Sequence, residues 1–163
     1  MGANALQILL VDDNADIRQA LCSILHDCPD VRVVGEATNG KEAVFTAEKL
    51  RPDVVLMDVN IPALDGIAAT RAIKAQNSNI AVVGLSANTP DNMVYAMVKA
   101  GAFAVMPKEN AVEDLYDLIH KAVSSIPRGH ADGASAAHPL HRQGDTSANG
   151  SVTEASREGL PAE

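Results

Sequence analysis

The sequence predicts an α/β domain built on a parallel sheet with helices packed on both faces. Two observations carry this. Short, continuous apolar runs recur along the chain at Ile8–Val11, Val54–Met57 and Ile80–Leu85. Runs so uniform suit strands buried on both faces rather than strands with one wet face. Between the runs lie longer stretches with apolar residues at helical spacing. Strands joined through helices imply right-handed crossovers and a parallel sheet.

The first run ends in Asp12-Asp13. Asn14 is placed to cap a helix on which Ile17, Leu21, Ile24 and Leu25 recur at helical spacing, and Pro29 and Asp30 stop it,. Val31 to Val34 reads as a strand near a sheet edge, because it is less uniformly apolar. Asn39-Gly40 turns the chain into a helix from Lys41 to Leu50 with Val44, Ala47 and Leu50 facing inward, ended by Arg51-Pro52. The central run, Val54-Val55-Leu56-Met57, closes on Asp58, whose charge cannot belong to the core. Asn60, Pro62, Asp65 and Gly66 then mark a turn-rich loop.

Gly66 to Gln76 is a helix of good formers with a stripe of Ile67, Thr70 and Ile73,. Asn77-Ser78-Asn79 separates it from the strand Ile80–Leu85, which ends at Ser86. Thr89 before Pro90 predicts an N-cap followed by proline at the first helical position. That helix carries Met93, Val94, Met97 and Val98 and stops at Gly101. Phe103 to Met106 is a short fifth strand followed by Pro107-Lys108. Asn110 is placed to cap a last helix bearing Val112, Leu115, Leu118, Ile119 and Ala122. Five strands alternating with five helices fit the flavodoxin-like doubly wound sheet, order 2-1-3-4-5, in three α/β/α layers.

This pattern occupies residues 5–126. From 127 to 163 only Leu140, Val152 and Leu160 are large and apolar, too few to offset ordering entropy, so a disordered low-complexity tail is expected there,. His130, His138 and His141 in that stretch read as unstructured polar histidines rather than a metal site. A net charge of −8 opposes binding to nucleic acid or to an anionic membrane surface,. Cys22 and Cys28 lack a C-x-x-C arrangement and read as reduced thiols. No apolar run approaches the ~18 residues of a membrane span, and the first residues lack the basic region of a signal peptide. A cytoplasmic protein is expected.

In a parallel sheet, Asp12-Asp13, Asp58, Ser86 and Lys108 all fall at the carboxyl edge, where ligands of open α/β sheets bind. Two like charges ~4 Å apart repel by about 4 kcal/mol at an effective dielectric of 20. Three carboxylates therefore need compensation: Lys108 offsets one and a hard divalent cation the rest. Mg2+ suits the all-oxygen donors, and zinc does not, since no His or Cys lies at these strand ends. A carboxylate not consumed by the metal can attack phosphorus. Lys108 and the cation would neutralise the equatorial oxygens and Ser86 would donate a hydrogen bond, giving an aspartyl phosphate. Each residue has a plainer reading alone: Asp12 and Asp13 at a helix N-terminus, Ser86 in a loop, Lys108 in solvent, Asp65-Gly66 as a turn. Their joint order and spacing outweigh those readings.

From Gln7 to Val123 the chain resembles the receiver domain of two-component response regulators. The resemblance rests on Asp12-Asp13, on Asp58-Val-Asn-Ile-Pro-Ala-Leu-Asp-Gly66, on Ser86-Ala87, and on Gly101-Ala102 leading to Lys108. It implies that Asp58 is the phosphoacceptor and that Mg2+ is held by Asp13, Asp58 and the Asn60 backbone carbonyl, with Asp12 acting through water. It also implies that Lys108 pairs with the phosphoryl group, that Ser86 is the hydroxyl switch, and that Asn60 and Asn88 tune phosphoryl lifetime. The implied partners are a sensor histidine kinase or phosphotransfer protein upstream and a protein target downstream, with a homodimer allowed. The resemblance implies no dedicated enzyme, only self-phosphorylation and autodephosphorylation.

Two positions depart from the family pattern. Val105 stands where receivers usually carry Tyr or Phe, so the aromatic part of the switch is missing, and Phe103 does not replace it. Glu109 follows Lys108 where many receivers have proline, and a trans bond is expected there. Lysine followed by an acidic residue is similar to NarL-like regulators, whose receivers precede a LuxR-type helix-turn-helix; Val34-Gly35-Glu36-Ala37-Thr38-Asn39-Gly40 is similar too. The tail has three Arg, no Lys and five Asp or Glu, not the basic recognition helix of a DNA reader,. A stand-alone receiver is therefore expected. The alternatives are a receiver fragment of a LuxR-type DNA-binding regulator, or a Mg2+-dependent aspartyl-phosphate phosphatase of the haloacid dehalogenase type. The latter wants a second aspartate where Asn60 stands and its nucleophile in the first strand.

Overall fold

The structure is a computed structural model that describes residues 4–127. The expected tail beyond them, with its three histidines, lies outside the described residues. The chain runs β1 (Leu6–Val11), α1 (Ala15–His26), β2 (Val31–Ala37), α2 (Gly40–Leu50), β3 (Val54–Asp58), α3 (Gly66–Gln76), β4 (Ala81–Ser86), α4 (Asp91–Lys99), β5 (Ala104–Pro107) and α5 (Ala111–Ser124). A 3-10 turn over Lys108–Asn110 leads into α5. All strand pairs are parallel and the sheet order is β2-β1-β3-β4-β5.

Alternation along each strand feeds two separate cores. On one face Ile8, Leu10, Leu56, Val83 and Leu85 meet Leu21 and Leu25 of α1 and Leu115 and Ile119 of α5. On the other, Leu9, Val11, Val55 and Met57 meet Ala43 and Ala47 of α2, Ala69 and Ile73 of α3 and Met97 of α4. The central strands β3 and β4 are buried at every residue. That is why their sequences are uniformly apolar until a polar residue ends each one. In register, Leu10 lies beside Leu56 and Leu56 beside Val83, so Asp12, Asp58, Ser86 and Lys108 emerge along one edge.

Several local expectations are corrected. The second strand extends through Ala37, with a register shift between Ile8 and Leu9 that sets Leu9 opposite Gly35. Leu50, expected inward, is 40% exposed, although its Cδ1 lies only 2.7 Å from where a Gly35 Cβ would stand. Pro90, not Thr89, is the N-cap residue of α4, and no side chain caps that helix. Proline serves there because its carbonyl suffices: Pro90 O accepts from the N–H groups of Met93 and Val94. Asn110 also gives no side-chain cap, because it sits in αR conformation as the last residue of the 3-10 turn. On α5, Leu115, Ile119 and Ala122 are buried as expected, but Ala111 takes the first place on that face and Val112 is 76% exposed. Val98 on α4 is likewise exposed. The Lys108–Glu109 peptide is trans, as expected.

Candidate functional site

Three carboxylates meet at the carboxyl edge of the sheet. Asp12 follows β1 and is buried, and Asp13 lies at the exposed rim; Asp58, expected outside the core, instead ends β3 only 4% exposed, because Lys108 pairs with its charge there. One oxygen of each lies within 4.8 Å of the others. Lys108, delivered by the end of β5, places its Nζ 2.6 Å from Asp12 Oδ2 and 3.1 Å from Asp58 Oδ2. The second oxygen of each buried carboxylate accepts from a backbone N–H two residues on: Asp12 Oδ1 from Asn14 at 2.9 Å and Asp58 Oδ1 from Asn60 at 3.1 Å. Asn14 itself caps α1 by accepting from the N–H groups of Asp16 and Ile17.

Burial pushes the Asp58 carboxyl up from its ordinary value, against the Asn60 N–H and the Lys108 ammonium, which both favour the ionised form,. Burial alone would lower Lys108, yet its hydrogen bonds to Asp12 and Asp58 and their charges hold it above the usual lysine value. The donor set is therefore three carboxylates against one ammonium, all oxygen on the acidic side. That chemistry fits a hard divalent cation such as Mg2+.

Around this centre, Ser86 ends β4 buried, opposite Pro107 in register, while its neighbour Leu85 lies opposite Asp58. Asn60 is exposed in the loop after β3, and its Nδ2 donates to Thr89 Oγ1 at 3.2 Å, joining that loop to the β4–α4 loop. Asn88, in the latter loop, is exposed with φ +55°. Asp65, read as a turn residue, caps α3 by accepting from Ala68 N–H at 2.7 Å. Gly66 is required where it stands: a Cβ there would sit 2.3 Å from Asp58 O and 3.0 Å from Val59 Cα.

Val105 is not part of this cluster. It packs with the α4-side core, its Cγ2 lying 2.8 Å from where a Gly84 Cβ would be and Met97 Cγ close by. Phe103, 40% exposed and expected to begin the fifth strand, immediately precedes it, at the end away from the acidic edge. Sequence reasoning did not single out two residues that join the site. Thr89, which the sequence offers only as a helix cap, instead accepts from Asn60. Arg18 carried one signal, its place four residues after the Asn14 cap, and it binds both Glu36 and the Asp12 carbonyl.

The response regulator receiver domain family model matches residues 8–120. The transcriptional regulatory protein LiaR of Bacillus subtilis is 35% identical over 123 residues, covering 76% of this chain and 58% of that protein. The chain thus spans less than two thirds of that relative. The response regulator domain of Thermotoga maritima CheB superposes with a TM-score of 0.71 at 30% identity, covering 76% of this chain and all of that one. The receiver domain of the sensor histidine kinase PA1611 of Pseudomonas aeruginosa PAO1 superposes with a TM-score of 0.67 at 30% identity, covering 74% of this chain and 99% of that one. That structure is described with a magnesium ion coordinated in its active site cleft.

Proposed function

The chain belongs to the response regulator receiver domain family, and on that premise we propose that it takes a phosphoryl group onto Asp58 with Mg2+ and signals through protein contacts. One observation carries the reading most directly. Asp58 is a buried carboxylate at a strand end with Lys108 3.1 Å away and oxygens of Asp12 and Asp13 within 4.8 Å. Mg2+ would be held by Asp13, Asp58 and the Asn60 backbone carbonyl, with Asp12 acting through water, and would supply neutralisation of the phosphoryl charge. An Asp58 oxygen attacks phosphorus, the bond from phosphorus to the donor breaks, and the donor leaves with its electron pair. Lys108 accompanies the transferred oxygens, and Ser86 donates a hydrogen bond to one of them. Asn60 and Asn88 stand at the family positions that tune the phosphoryl lifetime. Val105 carries no polar group and packs against Gly84, so an aromatic rotamer does not report the state of Ser86.

The phosphoryl donor in this reading is a sensor histidine kinase or a phosphotransfer protein, and the output is a protein target. A second reading has an observation of its own. The similarity to LiaR covers 58% of a transcriptional regulator, which fits the receiver portion of a LuxR-type protein. Dimerisation on phosphorylation, followed by sedimentation velocity, separates that reading from a monomeric relay.

The test of the chemistry is intact mass after incubation with Mg2+ and acetyl phosphate, with Asp58→Asn alongside. One added phosphoryl group on the parent and none on the variant is expected. No added mass on the parent, or equal labelling of both, overturns the assignment. Steady release of phosphate from small phosphomonoesters would point to a phosphatase instead.

A further inference from the structure

Arg18 lies on α1 with its side chain 15% exposed and makes two well-formed contacts. Its Nε donates to Glu36 Oε2 on β2 at 2.8 Å, and its Nη1 donates to the Asp12 carbonyl at 2.8 Å. That carbonyl belongs to the peptide unit joining Asp12 to Asp13. A peptide unit is planar, so whatever holds its carbonyl also sets the direction in which the Asp13 backbone continues.

Asp12 is otherwise held at every polar group. Its N–H donates to Ala37 O at 3.1 Å, Oδ1 accepts from Asn14, and Oδ2 accepts from Lys108. Asp13 is different: among the described residues its carboxylate makes no hydrogen bond, and it is exposed at the rim. Its position rests on the backbone alone. The guanidinium is in turn oriented by Glu36, whose other oxygen accepts a weak Cys22 thiol contact at 3.8 Å.

We propose that Arg18 is a positioning residue for the metal site, acting through the Asp12–Asp13 peptide to present Asp13 to the cation. This rests on the magnesium-dependent reading above. The geometry distinguishes positioning from simple charge. A guanidinium beside an acidic site repels a cation, so if charge were its only effect, removing Arg18 would tighten Mg2+ binding. A positioning role predicts the opposite sign. It also predicts that lysine is a poor substitute, because a point charge cannot hold the Glu36 carboxylate and the Asp12 carbonyl in one planar fork.

The experiment is titration of the full chain with MgCl2 by isothermal calorimetry, with thermal melts to verify folding. Arg18→Met is expected to weaken Mg2+ binding about tenfold, the lower end of what outer partners of metal ligands contribute. Arg18→Lys should recover only part of the loss. Glu36→Gln, which keeps an acceptor for Nε, should stay close to the parent, while Glu36→Leu should weaken binding. If Arg18→Met does not fold, the two Glu36 variants carry the comparison. Binding by Arg18→Met equal to or tighter than the parent overturns the inference. So does full rescue by lysine, or equal affinity of the two Glu36 variants. A parent that binds no Mg2+ overturns the proposed function itself and this inference with it. Parent binding with unaltered variants overturns this inference only.

Discussion

The Lys108 ammonium and the buried Asp12 carboxylate form a partly buried pair at 2.6 Å. Lys108 reaches Asp58 only at 3.1 Å, so Asp58 is the less compensated of the two buried carboxylates. Burial accordingly wins at Asp58 and raises its pKa, whereas the ammonium between the two is held up by both.

In the metal-free protein, the raised Asp58 carboxyl couples stability to pH,. A carboxyl whose pKa is raised by folding contributes stability below its unfolded value near ~3.9, and the contribution is lost as pH rises through the folded value. At neutral pH ionised Asp58 is therefore a net cost. Asp58→Asn should melt about 3 °C above the parent at pH 7 without Mg2+, the shift that ~1 kcal/mol gives in a chain of this size. The gain should shrink as pH falls to 4 and below, and added Mg2+ should narrow it by stabilising the parent. Circular dichroism melts suit a chain without tryptophan. An Asp58→Asn that melts no higher than the parent at pH 7 contradicts the assignment of burial as the dominant influence.

The Asn60–Thr89 hydrogen bond ties the two loops that flank the site. Thr89→Val keeps the shape and removes the acceptor, freeing the Asn60 carboxamide from its place at the mouth. Phosphoryl lifetime, measured by loss of the added mass after acetyl phosphate is removed, should shorten about threefold. That factor corresponds to ~0.6 kcal/mol, within the worth of one hydrogen bond. An unchanged or longer lifetime would show that the bond does not guard the site.

Gly66 meets the backbone of Asp58 and Val59 with no room for a methyl group. Backbone cannot yield as a flexible side chain can. Gly66→Ala should therefore lower stability by about 1–3 kcal/mol, the usual cost of overpacking. Because the displaced loop carries Asn60, labelling at saturating Mg2+ should fall as well. A melting temperature equal to the parent's would mean that the loop relocates freely.

Glu42 closes the start of α2. Its Oε2 accepts from Thr38 N–H at 2.8 Å and from Thr38 Oγ1 at 2.9 Å, while Glu42 N–H donates to Asn39 Oδ1 at 2.9 Å. The Thr38 backbone N–H, then its hydroxyl, hold the carboxyl below its ordinary value. Its contribution is therefore present above the unfolded value near ~4.3 and lost as pH falls through the folded value. Glu42→Ala should cost about 0.5 kcal/mol at pH 7, the solvent-screened worth of an exposed charged hydrogen bond, and much less near pH 2. Chemical denaturation at the two pH values checks this, and equal losses at both would assign the effect to packing rather than to the ionised carboxylate.

Much of the site was legible because Asp12, Asp58, Ser86 and Lys108 sit at or directly after strand ends. β3 and β4 are buried at every residue, so their runs are apolar until the last position, and Asp58 and Ser86 stand out as the polar residues that end them, buried like the rest. Local signals were less dependable where packing competed with them. Thr89-Pro90 and Asn110 look like helix starts, yet Thr89 engages Asn60 and Asn110 is drawn into the 3-10 turn after Lys108. Helical spacing nominated Val112, but Ala111, four residues before the buried Leu115, shares its face and takes the core place,.

The sequence by itself determined the element order, the uniformly apolar strands and the identity of the acidic edge, because burial on both faces leaves few residue types open and a charge stands out at once where such a run ends. Only the tertiary structure decided that Lys108 binds Asp12 more closely than Asp58, that Asn60 meets Thr89, that Val105 packs over Gly84, and that Arg18 bridges Glu36 to the Asp12 carbonyl. Those relations join residues distant along the chain, and side-chain reach and register across neighbouring elements, rather than local propensity, set them.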